Sequence, residues 1–167
     1  MIIKIPDFIT KEECDTIIKI ITDNDMVGMG LGKFGNILGD SDVIREILYK
    51  KYQLIFGRRT YCISWVNMFP PKHPGVPPHK HRGSQDGYQS TKIPHEYPCT
   101  NLFLGGDTSI GTYYNGVKHE NKVGELAIFS SDMNHEVKEN TSDTIRFSMV
   151  SDFAPIKGNH DWIKMNV

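Results

Sequence analysis

The chain has 167 residues, of which 38% are hydrophobic and 23% are charged, and its formal net charge at pH 7 is −1. This composition excludes a disordered chain, and the balanced charge excludes a general attraction to nucleic acid or to an anionic membrane. The sequence has no apolar run near the roughly 18 residues of a membrane-spanning helix, and its three cysteines form no CxxC pair. We therefore expect a single domain, residues 1–167, in the reducing cytoplasm. Its ligand or substrate is expected to be a small molecule.

Residues 1–58 carry the signals of helices that would support the rest of the domain. Thr10, with Glu13 three residues later, forms a capping box, the pattern that satisfies two free N–H groups at a helix start. An apolar stripe at helical spacing follows it: Cys14, Ile17, Ile18 and Ile21. Asp40 or Ser41 can cap a second helix. The buried stripe predicted for that helix is Val43, Ile44, Ile47 and Leu48.

From residue 59 the pattern changes to short strands rich in aromatic and β-branched residues. The clearest runs are residues 61–69, 100–104, 110–114, 123–129 and 144–153. Helices first and strands afterwards, without βαβ alternation, predict a mainly β domain of the α+β class. The regular strand spacing favours a sandwich or barrel over residues 59–153, followed by a tail at residues 154–167.

Three histidines are spaced so that they could share one metal ion. His79 and His81 are two residues apart, so on a strand both side chains would point to the same face. The bland interpretation of an isolated HxH is a surface pair without metal. Here His135 follows a β-like run at residues 124–129 and a polar turn, which would return a third imidazole to the same place.

Arg146 and Ser148 are also two residues apart in a predicted strand and share its face. A guanidinium that points into a β-domain is costly unless an anion lies beside it. Its planar fork matches a carboxylate, and a serine hydroxyl can donate one further hydrogen bond. The alternative is an arginine on a solvated face that pairs with Asp143 or Asp152.

The order HxH, Gly-x-Leu-x-x-Phe, His and Arg-x-Ser resembles the iron(II)- and 2-oxoglutarate-dependent dioxygenases. Within them, the opening phrase IPDFITKEEC resembles that of the prolyl-4-hydroxylase-like branch, and the resemblance covers about residues 5–153. It implies a double-stranded β-helix, the jelly roll that cupin barrels share. It also implies an oxidoreductase that uses Fe(II), 2-oxoglutarate and dioxygen to hydroxylate a substrate, such as a prolyl-type side chain of a peptide.

The same resemblance implies roles for particular residues. The metal would be held by three imidazoles: His79, His81 and His135. Arg146, aided by Ser148, would bind the distal carboxylate of 2-oxoglutarate. Asn67 and Thr100 would line the pocket of this co-substrate. The loop at residues 82–98 would meet the substrate, and its candidate contacts are Arg82, Tyr88 and Tyr97.

Two positions depart from the family pattern. His81 stands where the usual second ligand is an acid, so Asp86 or Glu96 is an alternative source of the anionic ligand. Phe69 stands where many relatives have a tyrosine. A cupin-like metal enzyme that does not use 2-oxoglutarate would need the three histidines but not Arg146. A non-enzymatic jelly-roll binding module would need no metal at all.

Overall fold

The computed structural model describes residues 1–26, 36–81, 96–156 and 162–165. Its helices are α1 (Lys11–Asp23), α2 (Ile37–Asp40) and α3 (Asp42–Phe56). Its strands are β1 (Ile3–Ile5), β2 (Tyr61–Phe69), β3 (Val76–His79), β4 (Pro98–Gly105), β5 (Thr112–Tyr114), β6 (Val117–His119), β7 (Leu126–Ser130), β8 (His135–Val137), β9 (Arg146–Ala154) and β10 (Ile163–Lys164). The predicted class, a mainly β domain with N-terminal helices, is confirmed.

The strands form two antiparallel sheets. The larger has six strands in the order β1-β7-β4-β9-β2-β10, and the smaller has four in the order β3-β8-β5-β6. The sheet extends beyond the predicted core at both ends of the chain, because β1 pairs with β7 and β10 pairs with β2. Among the described residues, no helix is long and apolar enough to cross a lipid bilayer.

The helix starts follow the sequence closely. Thr10 and Glu13 form both hydrogen bonds of the predicted capping box, and Ser41 caps α3 by accepting a bond from the backbone of Ile44. One residue of the second predicted stripe is wrong, since Val43 is 48% exposed. The buried side of α3 instead follows i, i+4 and i+8 spacing, at Ile44, Leu48 and Tyr52.

Alternate residues of the larger sheet face two different cores. One face packs against α1 and α3, with members such as Cys62, Val66, Leu102, Met149 and Phe153. The other face lies against the smaller sheet, with members such as Ile63, Trp65, Cys99, Phe129 and Val150. In β9 this alternation sends Arg146, Ser148, Val150 and Asp152 towards the smaller sheet. The strand register therefore decides which polar side chains enter the space between the sheets.

Gly75 sets the approach of β3 to β8, and Gly75→Ala is expected to lower the free energy of unfolding by about 2–4 kcal/mol. Gly75 has φ +84°, and a Cβ there would lie 2.0 Å from the carbonyl oxygen of Val137. Urea denaturation measures the change. Gly116→Ala is the matched control, because Gly116 has φ +79° with nothing within 4 Å. Equal losses in the two variants would contradict the close approach.

Candidate metal centre and anion pocket

The three predicted histidines meet at one end of the smaller sheet. His79 ends β3 and is the cross-strand partner of His135, which begins β8. The ring centroids of His79 and His135 are 4.2 Å apart, and those of His81 and His135 are 4.8 Å apart. One ring nitrogen from each of the three residues lies within 4.8 Å of the other two. This spacing suits three ligands of a single ion.

Backbone carbonyl groups fix the tautomer of two of these rings. The Nδ1 atom of His79 lies 2.9 Å from the carbonyl oxygen of Pro77, and that of His135 lies 3.1 Å from the carbonyl oxygen of Met133. Because a carbonyl oxygen only accepts, each Nδ1 must carry the proton and donate it. The lone pair of each ring is then on Nε2, the arrangement found in metal-binding histidines.

Burial keeps these two imidazoles neutral. It lowers the pKa of His79. At His135, burial together with the repulsion that protonated rings of His81 and His79 would exert lowers the pKa to about 3. Both rings are therefore unprotonated at neutral pH. A neutral imidazole is the form that binds a metal ion.

The shifted pKa of His135 makes the stability of the metal-free protein depend on pH. The unfolded chain takes up a proton near pH 6.5, whereas folded His135 does so only near pH 3. The free energy of unfolding is therefore expected to fall as the pH drops through this window. Urea denaturation at pH 7 and pH 5 measures the loss, and His135→Gln should show less of it. An equal loss in both proteins would assign the effect to other groups.

The third ring, His81, contacts a buried carboxylate. Its Nδ1 atom lies 2.6 Å from an Asp152 carboxylate oxygen, and the two side chains are 7% and 5% exposed. Asp152 is therefore not the partner of a solvated Arg146 that the alternative interpretation required. His81, Asp152 and Cys99 form a second group of possible metal ligands, whose ligand atoms lie within 4.8 Å of one another. Burial, with the nearby Asp152 charge, raises the pKa of Cys99 well above its ordinary value, so the thiol stays neutral.

The alternative acids do not enter this cluster among the described residues. Glu96 is exposed and accepts a hydrogen bond of 2.9 Å from the Ser130 hydroxyl. Asp86 lies outside the described residues. The carboxylate that contacts a candidate ligand is Asp152.

Arg146 is buried in the space between the sheets, where it is 1% exposed. Its guanidinium donates to the hydroxyl of Thr112 at 3.1 Å and to that of Ser148 at 3.4 Å. The rings of Phe69 and Phe103 lie 5.6 Å and 5.4 Å from its central carbon. Burial lowers the pKa of Arg146 to about 10, which leaves the side chain charged at neutral pH.

This charge has no direct ion-pair partner within the part of the chain that the structure describes. There Arg146 forms no ion pair, and its Nε atom has no hydrogen-bond partner. Asn67 lies beside the pocket, across from Ser148 in the strand register, and its Oδ1 atom is likewise buried without a described partner. A buried cation without an anion is strongly unfavourable. The pocket is therefore built for an anionic group with hydrogen-bonding capacity.

No protein-family model matches the chain, and none of the curated proteins compared with it matches in sequence. Solved structures do match. The viral collagen prolyl hydroxylase of Paramecium bursaria Chlorella virus-1 is 15% identical, covers 93% of this chain and 90% of its own, and gives a TM-score of 0.64. This chain has the fold of the 2-oxoglutarate-dependent oxygenases. The resemblance indicated by the sequence is thereby confirmed at the level of the fold.

Two further members of this oxygenase fold show how far sequences diverge within it. A prolyl-4-hydroxylase of Pseudomonas putida is 18% identical, covers 95% of this chain and 86% of its own, and gives a TM-score of 0.56. SnoK, a non-heme α-ketoglutarate-dependent carbocyclase of nogalamycin biosynthesis, is 11% identical, covers 92% and 79%, and gives a TM-score of 0.70. The fold is thus shared by hydroxylases and by an enzyme of different chemistry.

One predicted pocket residue lies on the wrong face of the oxygenase fold. Thr100 pairs with Ser151 and donates its hydroxyl to the carbonyl of that residue, on the side that packs against the helices. The next residue, Asn101, points between the sheets and donates to Thr112 at 3.3 Å. Neither Asn101 nor Thr112 was predicted from the sequence as a pocket residue. Side chains alternate between the two faces of β4. The register of β4 against β9, the strand of Arg146, would have shown that Asn101 and not Thr100 faces the pocket.

Of the predicted substrate contacts, Arg82 and Tyr88 lie outside the described residues. Tyr97 is 7% exposed, and its hydroxyl donates to the carbonyl oxygen of His81 at 3.4 Å. Its ring packs edge-on against Trp162. Tyr97 therefore supports the segment that carries His81, and its contact with a substrate stays a prediction.

Proposed function

We propose that this chain is an Fe(II)- and 2-oxoglutarate-dependent oxygenase that hydroxylates a C–H group of its substrate. We further infer that its two sheets form the double-stranded β-helix of that family. One observation carries the proposal: three imidazoles converge in the same space between the sheets as a buried guanidinium that lacks an anion among the described residues. An enzyme that holds a divalent metal ion and a dicarboxylate together needs both features.

The donor set fits Fe(II). His79, His81 and His135 would hold the ion through neutral imidazole nitrogens, which suit divalent iron. The hydrogen bonds of the His79 and His135 rings to backbone carbonyl groups hold these two rings in place before the ion arrives. When bound, Fe(II) and 2-oxoglutarate supply the oxidation, in which dioxygen converts the co-substrate to succinate and CO2 and hydroxylates the substrate.

The anion pocket would bind and orient 2-oxoglutarate through its distal carboxylate. Arg146 would form the charged hydrogen bonds, and the hydroxyls of Thr112 and Ser148 would fix the orientation of the guanidinium. The rings of Phe69 and Phe103 would exclude water from this ion pair and so strengthen it. A cupin-like enzyme that ignores 2-oxoglutarate has no use for such a pocket, which is why the buried arginine favours the oxygenase.

The substrate class follows from the neighbours rather than from the site. The viral enzyme is named a collagen prolyl hydroxylase and the bacterial one a prolyl-4-hydroxylase, which supports a prolyl-type peptide side chain as the first substrate to test. The substrate would contact the loop at residues 82–98, and two of its predicted contacts, Arg82 and Tyr88, lie outside the described residues.

The decisive experiment measures succinate formation from 2-oxoglutarate by the purified protein, without any added substrate. We expect slow uncoupled turnover that requires both Fe(II) and 2-oxoglutarate, together with one Fe(II) site per chain. A stoichiometric metal site without succinate formation or 2-oxoglutarate binding would instead support the cupin-like enzyme. The absence of a stoichiometric metal site would support the non-enzymatic binding module.

A further inference from the structure

A buried carboxylate lies directly behind one of the proposed ligands. Asp152 is in β9, a central strand of the larger sheet, and is 3% exposed. Its cross-strand neighbours are Ile63 and Cys99, which carry no charge to compensate it. Among the described residues it forms no ion pair with lysine or arginine, and its close partner is Nδ1 of His81 at 2.6 Å.

This arrangement is unfavourable for the protein alone. A buried carboxylate without an ion pair to lysine or arginine keeps much of its desolvation cost. A divalent cation on Nε2 of the same imidazole would place a compensating charge on the far side of the ring. The metal would gain as well, because three neutral imidazoles leave its double positive charge uncompensated.

We propose that Asp152 is a positioning residue of the metal site that holds the His81 ring in place and supplies the negative charge its imidazole ligands lack. This inference rests on the proposed function, since it requires a divalent cation at His81. The bond to Nδ1 fixes the ring so that Nε2 faces His79 and His135. Metal-binding histidines commonly depend on such a carboxylate behind the ring.

The charges between the two sheets support this assignment. With a divalent metal ion and doubly charged 2-oxoglutarate bound, the formal charges between the sheets, those of Arg146 and Asp152 included, would sum to zero. Both Arg146 and Asp152 point to the same face of β9, so they share one low-dielectric space. Without Asp152, the interior would keep one uncompensated positive charge, which is costly in a buried site.

The test compares Co(II) and Fe(II) binding by the wild-type protein, Asp152→Asn and Asp132→Asn. Asparagine keeps an oxygen that can accept from Nδ1 of His81, so this variant removes the charge and leaves the acceptor. We expect Asp152→Asn to bind each metal roughly 10- to 100-fold more weakly. Asp132→Asn is the matched control. That carboxylate lies between β7 and β8, is 43% exposed and is screened by solvent.

A second readout separates charge from packing. Loss of a nearby negative charge disfavours Fe(III) relative to Fe(II), so the reduction potential of the bound iron should rise in Asp152→Asn.

The charge can also be moved rather than removed, by combining His81→Asp with Asp152→Asn. We expect this double variant to bind Fe(II) more tightly than Asp152→Asn alone, because the anion then ligates the ion directly.

Each contrary result has a distinct meaning. Wild-type affinity and potential in Asp152→Asn would overturn this inference and leave the proposed function standing. A double variant no better than Asp152→Asn would also overturn it, because the effect would then be one of packing. A sulfur-to-cobalt charge-transfer band would overturn it too, by placing the ion on Cys99, Asp152 and His81. A wild-type protein without a stoichiometric metal site would overturn both proposals.

Discussion

Arg146→Ala is expected to weaken the binding of 2-oxoglutarate by about 100-fold or more. Loss of one partner from a buried, hydrogen-bonded charge pair costs about 2–5 kcal/mol, and each 1.4 kcal/mol is a factor of ten in affinity. The remaining hydroxyls of Thr112 and Ser148 cannot replace the charge. The change should leave Fe(II) binding nearly intact, because the hydrogen-bond partners of Arg146 among the described residues are Thr112 and Ser148 and not the three histidines.

Titration of 2-oxoglutarate into the anaerobic Fe(II) protein measures this effect. Arg146→Met is the second variant, because it keeps an apolar side chain between Phe69 and Phe103 and so limits any loss of packing. Arg45→Ala is the control, since Arg45 lies on α3 in an exposed pair with Asp42. If either Arg146 variant bound 2-oxoglutarate as tightly as the wild type, the assignment of the pocket would be wrong.

The parts of the fold that local patterns determine could be predicted from the sequence. The capping box of α1 depends on residues three apart, and β2 has the bounds expected from its aromatic and β-branched run, Tyr61–Phe69. The turn at Asn115 and Gly116 also follows from residue type, since both have positive φ, 49° and 79°. The edge strands β1 and β10 could not be predicted, because two or three residues carry no periodicity and depend on pairing partners far away in sequence.

The candidate site divides in the same way. The HxH and Arg-x-Ser spacings could be read locally, because residues two apart share a face of a strand. The surroundings could not. Thr112 and Asn101 enter the pocket only through the register of strands far apart in sequence, and the error at Thr100 is a one-residue error of phase. The sequence offered Asp152 only as a possible partner of a solvated Arg146, because nothing in the sequence shows that it contacts His81.

The balance of charges explains why these surroundings matter as much as the ligands. The proposed metal ion and dicarboxylate would bring large opposite charges into a space that β9 lines with one cation, Arg146, and one anion, Asp152. The polar residues around them carry hydrogen bonds from one sheet to the other, as Thr112 in β5 does when it accepts from Arg146 in β9. These buried charges lower the stability of the ligand-free protein, but they hold the site in the arrangement that its ligands need.

His135→Ala is expected to abolish succinate formation and to weaken Fe(II) binding by more than the roughly 10- to 100-fold that a residue behind a ligand contributes. The reason is that His135 is the ring within 5 Å of both other rings, with centroid distances of 4.2 Å and 4.8 Å, so its loss removes the donor that joins the cluster. Lys80→Ala is the control, because Lys80 lies between His79 and His81 but points outwards in a pair with Asp132. Iron titration and succinate measured on the same samples separate the two losses. Retained Fe(II) affinity in His135→Ala would exclude this histidine as a ligand, and the three-imidazole site would have to be abandoned.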